Sequence, residues 1–123
     1  MITTLFFLPT LPTKLFLLCF IFLATFYSAP PLRFKTKPFL DSTSNILYTL
    51  PGLIGYLVLY PHSVNWLIVL ATFCWAGAMH LFSAIPDIDA DTKAKLNTTA
   101  IYLGRDYSLI ACFLLWVVFA FII

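Results

Sequence analysis

The chain has 123 residues, of which 62% are hydrophobic and 10% charged, and it carries a net charge of +2. Soluble domains run at roughly 45–50% apolar and about 25% charged residues, so a chain this small could not bury its apolar surface in a core of its own, and lipid must cover the excess. The small net charge excludes an electrostatic grip on nucleic acid. Cys19, Cys74 and Cys112 fall in separate apolar runs without CxxC or Cys/His spacing, which argues against a disulfide framework or a cysteine metal site.

Four segments lack charge for long enough to be read as membrane spans, near residues 15–29, 46–60, 64–85 and 107–123. A straight span needs about 20 apolar residues. The first segment can be extended upstream through Leu5 past Pro9, Pro12 and Lys14. Lys14 followed by LFLLCFIFLATFYSA has the outline of a signal peptide. A cut there would fall directly before Pro30-Pro31, and Tyr27 stands where a small residue is wanted, so the segment is read as a retained helix.

Pro30-Pro31 should stop this helix at the membrane surface, because proline lacks an N–H and disfavours helix in the residue before it. Arg33, Lys35 and Lys37 then alternate along an extended stretch and could offer cations to phosphate. The plainer alternative is a positively charged anchor against anionic lipid. Asn45 opens the second apolar segment, where Pro51-Gly52 predicts a kinked helix. His80 lies inside the third. For Asn45 and His80 the simplest roles are a helix-start and an inter-helix hydrogen bond.

Asp87, Asp89 and Asp91 follow the third segment at once, in the stretch Ser83-Ala-Ile-Pro-Asp-Ile-Asp-Ala-Asp-Thr-Lys93. On a helical turn Asp87 and Asp91, four apart, project from one face, and Asp89 points away. Carboxylates so close repel one another unless a cation neutralises them. All-oxygen ligands suit Mg²⁺, which keeps several waters and takes one or two carboxylates plus phosphate oxygens. The alternative is a solvated acidic loop that caps the next helix. Apolar positions at Ala94, Leu96, Ala100, Ile101 and Leu103 predict an interfacial helix over residues 92–103, with Gly104 placed to end it.

The charges fix an expected orientation. Six of the seven basic residues (Arg33, Lys35, Lys37, Lys93, Lys95 and Arg105) and all five aspartates lie in loops two crossings apart, which places both motif loops on the cytoplasmic side of the cell membrane. The whole chain, 1–123, reads as one all-α, polytopic transmembrane helical bundle of about four spans.

At its two polar loops the sequence resembles the UbiA superfamily of intramembrane prenyltransferases. The family's second aspartate motif, followed by a basic, threonine-rich stretch and a glycine, looks like Asp87-Ile-Asp89-Ala-Asp91 through Asn97-Thr-Thr-Ala-Ile-Tyr-Leu-Gly104-Arg105. Its tyrosine-plus-basic segment looks like Tyr27-Ser-Ala-Pro-Pro-Leu-Arg33-Phe-Lys35. The string YSAPPLRFKTKP followed by LDSTSNILYTLPG looks most like the carotenoid-prenylating members, the lycopene elongases.

The resemblance implies a helical bundle around a central cavity and Mg²⁺-dependent transfer of a prenyl group from an allylic diphosphate to a lipophilic acceptor such as lycopene. It implies Asp87 and Asp91, with Asp89 as the weaker candidate, as Mg²⁺ ligands. Arg33 and Lys35 would bind diphosphate, and Tyr27 would be a catalytic residue beside the carbocation. The family's first aspartate motif, of N/DxxxD type, has no counterpart before Asp41. The chain is therefore expected to be a fragment or one half of a split enzyme that works with a missing N-terminal half. The alternative is a non-catalytic remnant or assembly subunit.

The orientation is testable with reporter tags. Tags at Lys37 and Lys95 should report the cytoplasm and one at His62 the opposite face; a cytoplasmic report from His62 would overturn the four-span reading.

Overall fold

The computed structural model of the protein describes residues 8, 10–61 and 63–123, and among them every regular element is helical. In chain order these are α1 (Leu11–Ser28), a 3-10 turn (Phe34–Thr36), α2 (Leu40–Thr43), a second 3-10 turn (Ser44–Tyr48), α3 (Leu50–Leu59), α4 (Trp66–Ala84), α5 (Ile88–Lys93) and α6 (Thr99–Ile122). Of the proposed upstream extension, Pro12 and Lys14 fall within α1, while Leu5 and Pro9, like His62, lie outside the described residues.

Helices α1, α4 and α6 are long and apolar enough to cross a membrane. Eighteen residues, the length of α1, span about 27 Å, close to the ~30 Å hydrocarbon thickness of a bilayer. Local signals set their ends, and the expected stop at Pro30-Pro31 is among them. Pro12 sits in the first turn of α1, where its missing N–H costs nothing, and Pro30-Pro31 follows the Ala29 cap. Asn65 caps α4, its side-chain oxygen accepting from the N–H groups of Leu67 (3.0 Å) and Ile68 (3.4 Å).

The second apolar segment differs from expectation. Instead of one kinked helix over 46–60, it divides into the 3-10 turn Ser44–Tyr48 and the ten-residue α3. Pro51 stands in the first turn of α3 rather than in a helix interior, so it starts this helix instead of bending it. Alone, α3 rises about 15 Å, half a bilayer core.

Helix α4 is the central element. It packs along α6, and both α2 and the Ser44–Tyr48 turn lie against it, while α1 packs on α3 and that same turn. Small side chains at the contacts let the helices come close: Ala71, Ala76, Ala78, Ala100 and Cys112 are all buried. The Cys112 thiol donates to the Ala78 carbonyl at 3.5 Å, and the rings of Phe82 and Trp116 meet at 5.5 Å. Leu67, Leu70, Phe113, Leu114 and Phe121 point outward and exposed, the apolar surface that the composition requires lipid to cover. The chain is an integral membrane protein.

The interfacial helix expected over 92–103 is also corrected. Helix α5 ends at Lys93, closed by the Leu96 N–H donating back to the Asp91 carbonyl at 3.0 Å, with Lys95 in the left-handed region at φ 55°. A new helix starts after Thr98, whose hydroxyl accepts from the Ile101 N–H at 3.4 Å. The threonine pair Thr98-Thr99 thus acts as a helix start inside a stretch whose apolar spacing alone suggested continuity.

Gly104 does interrupt the helix, at φ 73° and ψ 172°, a conformation essentially confined to glycine. A Cβ built there would meet nothing within 4 Å, so the demand is on the backbone and not on space. Gly104→Ala should therefore destabilise the bundle by about 1–3 kcal/mol, seen as a lowered Tm in detergent. An unchanged Tm would show that α6 can straighten at no cost.

Candidate functional site

The polar loops gather at one end of the bundle around a single buried carboxylate. Asp41, in α2, is fully buried. Its Oδ1 accepts the Ser42 N–H at 2.8 Å and the Thr99 hydroxyl, and its Oδ2 accepts the Thr99 N–H at 2.8 Å. Thr99 Oγ1 in turn accepts the Phe39 N–H at 2.6 Å, and the Asn45 side-chain amide donates to the Asp41 carbonyl. One carboxylate therefore joins the start of α6 to α2 across 58 residues of sequence. His80 of α4 comes to the same group, with its Nε2 3.9 Å from Asp41 Oδ2.

Two cavities open near this junction and share His80 and Ser83 in their walls. The polar one, about 240 Å³, is lined by Lys35 and Thr36 from the first 3-10 turn, His80 and Ser83 from the end of α4, Asp87 and Asp91, and Thr98 at the start of α6. The Asp91 N–H donates to the Asp87 carbonyl at 2.8 Å, the helical turn that puts both carboxylates on one wall. The neighbouring cavity, about 360 Å³, is mostly aromatic and apolar, with Tyr27, Tyr48, Trp75 and Met79 beside Asn45, His80 and Ser83.

The structure thus brings Lys35 to Asp87 and Asp91 and sets Tyr27 in the adjoining aromatic wall. It does not bring every candidate together. Asp89 lies on the far side of α5, lining a separate hollow with Arg105, Ile85 and Pro86. Arg33 is exposed, with φ 43° at the start of the 3-10 turn, and is not in the walls of the two cavities that hold Lys35 and Tyr27.

Sequence reasoning gave Asp41 no role and treated His80 only as a packing hydrogen bond. A signal for part of this existed: Asn97-Thr98-Thr99 before an apolar run is a helix-start pattern. That Thr99 finds its acceptor at Asp41 depends on α2 and α6 meeting, which local sequence does not encode.

Among the described residues no group of three or more His, Cys, Asp or Glu side chains converges as for a metal. Two carboxylates on one helical face, lining a cavity that Lys35 also lines, nonetheless fit Mg²⁺ held jointly by protein and a phosphate ligand, because that ion needs few protein donors.

An all-helical membrane bundle whose polar end carries two carboxylates and a lysine in one cavity wall defines the class: a polytopic membrane-embedded protein. The model of the UbiA prenyltransferase family matches residues 1–123, and the chain belongs to that family. It is 48% identical over 115 residues to the lycopene elongase/hydratase of Haloarcula japonica, covering 94% of this chain and 39% of that protein. It is 48% identical over 99 residues to that of Haloferax volcanii (80% of this chain, 33% of the relative) and 50% identical over 98 residues to that of Halobacterium salinarum (80% and 36%). The chain therefore spans little more than a third of the length of these relatives. No solved structure matches it significantly.

Replacing Asp41 by alanine leaves the buried N–H groups of Ser42 and Thr99 without an acceptor, at about 1–3 kcal/mol each. Asp41→Ala should cost more stability than Thr99→Ala in equilibrium unfolding, and should speed hydrogen exchange at Thr99. Native exchange rates there would show that the carboxylate is not what holds α6 in place.

Proposed function

We propose that this chain supplies the second-aspartate side of a prenyltransferase active site, where a prenyl group passes from an allylic diphosphate to a lipophilic acceptor of the lycopene type. The observation that carries this reading is the pairing of cavities: Lys35, Asp87 and Asp91 in one, Tyr27, Tyr48 and Trp75 in the next, with a shared wall between them. One accepts a charged head, the other an apolar chain.

The reaction needs the diphosphate to leave with the electron pair of the C–O bond. Mg²⁺ held by Asp87 and Asp91 would stabilise the charge growing on the leaving oxygens. Lys35 lines the polar cavity, where its ammonium would contact the same oxygens, and Arg33 on the same loop, outside the cavity walls, would add positive charge nearby. The allylic cation then faces the aromatic wall, whose electron-rich rings stabilise it and keep water away. Tyr27 is the ring nearest in sequence to the basic loop. The acceptor's double bond attacks the cation and forms the new C–C bond. In this reading the motif loops open to the cytoplasm, and the rest of the cavity comes from segments outside this chain.

The test is a set of initial rates against Mg²⁺ and allylic diphosphate, in membranes that contain the chain alone or beside the remaining segments of a UbiA protein. Asp87→Ala and Asp91→Ala should each lower turnover by about 10²–10³-fold and raise the Mg²⁺ requirement. Lys35→Ala should raise KM for the diphosphate in a way that added Mg²⁺ only partly restores. Asp89→Ala should do less, and Asp106→Ala, an exposed charge on α6, should be nearly silent. Equal, mild effects at Asp87, Asp89, Asp91 and Asp106 would reduce the acidic segment to a solvated connector.

A further inference from the structure

We propose that His80, backed by Asp41, is the base that removes a proton from water as a hydroxyl group is added to the prenylated acceptor. The proposal rests on the prenyl-transfer reading above and extends it to how the reaction ends.

His80 and Ser83 are the two side chains that stand in the walls of both cavities. Ser83 has already committed its hydrogen to the His80 carbonyl at 2.8 Å, and a hydroxyl is a weak base. Of the titratable groups lining the aromatic cavity, Tyr27 and Tyr48 are phenols, so His80 alone offers a basic lone pair near neutral pH. Its Nε2 lies toward the Asp41 carboxylate at 3.9 Å, which leaves Nδ1 as the proton-accepting nitrogen once Nε2 carries the hydrogen. Asp41 is itself fixed by Ser42 and Thr99, so it is a rigid negative partner for the imidazolium as it forms. A buried acid, an imidazole and a boundary between a polar and an aromatic cavity together describe a device for admitting one water.

The chemistry balances without an oxidant or reductant. Attack by the acceptor's double bond leaves a tertiary cation on the acceptor. A water oxygen on the polar side donates its lone pair to that carbon, forming a C–O bond. One O–H bond breaks, its proton passes to His80, and its electrons stay on oxygen. Prenyl diphosphate, acceptor and water become an alcohol, diphosphate and a proton. The relatives' names join elongation with hydration, which supplies water as the co-reactant on their side. With no base at the boundary, the cation loses a neighbouring proton to the departing diphosphate and ends as an alkene.

The test measures diphosphate release and the ratio of alcohol to alkene product together, in the same membranes. His80→Leu should continue to release diphosphate while the alcohol-to-alkene ratio falls by about 10²-fold. His80→Gln, which keeps a polar group of similar length, guards against loss of folding and should show the same shift. In His80→Ala, added imidazole should restore alcohol. Asp41 acts through His80 as a positioning residue, so Asp41→Asn should lower the ratio in the same direction.

An unchanged ratio in both His80→Leu and His80→Gln, with diphosphate still released, would overturn the proposal and leave the prenyl-transfer reading intact. So would a wild-type product that is alkene alone. Loss of diphosphate release in folded His80→Gln would move His80 to the ionisation step and equally overturn it. Absence of diphosphate release from wild type in every preparation would instead remove the underlying reading, and this one with it.

Discussion

The geometry of the polar end depends on the bond between Asp41 and Thr99. A carboxylate removed from water is costly unless its lone pairs are engaged, and Asp41 is engaged by two backbone N–H groups and a hydroxyl. The arrangement works because the start of a helix has N–H groups without intrahelical partners, and Thr99 presents both its own N–H and its hydroxyl there. The acid therefore serves as a remote cap for α6. Moving α6 would leave the acid unpaired, so the position of Thr98 in the cavity wall is tied to the position of α2.

From that tie the relation of the two polar loops follows. The 3-10 turn that carries Lys35 runs into α2, and α5 with Asp87 and Asp91 runs into α6. Fixing α2 to α6 brings the basic turn to the acidic helix without any direct ion pair: among the described residues the one His/Lys/Arg-to-carboxylate approach within 4 Å is that of His80 to Asp41. Lys35, Asp87 and Asp91 remain uncommitted to one another, which is what a site for a shared anion and cation requires. A lysine already paired with a carboxylate would have to give up that contact before it could bind phosphate.

Much of this was legible in the sequence, and the reasons are specific. The membrane class followed from composition, and the C-terminal end of α1 from Pro30-Pro31, since such a signal acts within a few residues of where it stands. Pro12 and Asn65, by contrast, open α1 and α4 without having been read as helix starts. The placement of the three aspartates followed from spacing: four apart puts Asp87 and Asp91 in one cavity wall, and two apart turns Asp89 to the hollow that Arg105 lines. The second segment misled because Pro51 reads the same in a helix's first turn as in its middle, and only the preceding 3-10 turn decides between them. The stretch 92–103 misled because apolar periodicity survives a break that Lys95 and Thr98 impose.

The residues that sequence undervalued share one property: their partners are distant in the chain. Asn45 and His80 were each assigned a structural hydrogen bond, which is true of Asn45, whose amide holds the Asp41 carbonyl. His80 is different: its Nε2 approaches Asp41 Oδ2 only to 3.9 Å, and what distinguishes it is where it stands. A histidine packed wholly between helices has no access to ligand, whereas this imidazole forms part of two cavity walls while its other side faces a buried acid. Polar groups within membrane helices are retained at a cost and tend to mark pathways for ions, protons or water. The bundle keeps His80 in the walls of both its polar and its aromatic cavity, where a proton transfer would have a carboxylate behind it and an apolar pocket in front.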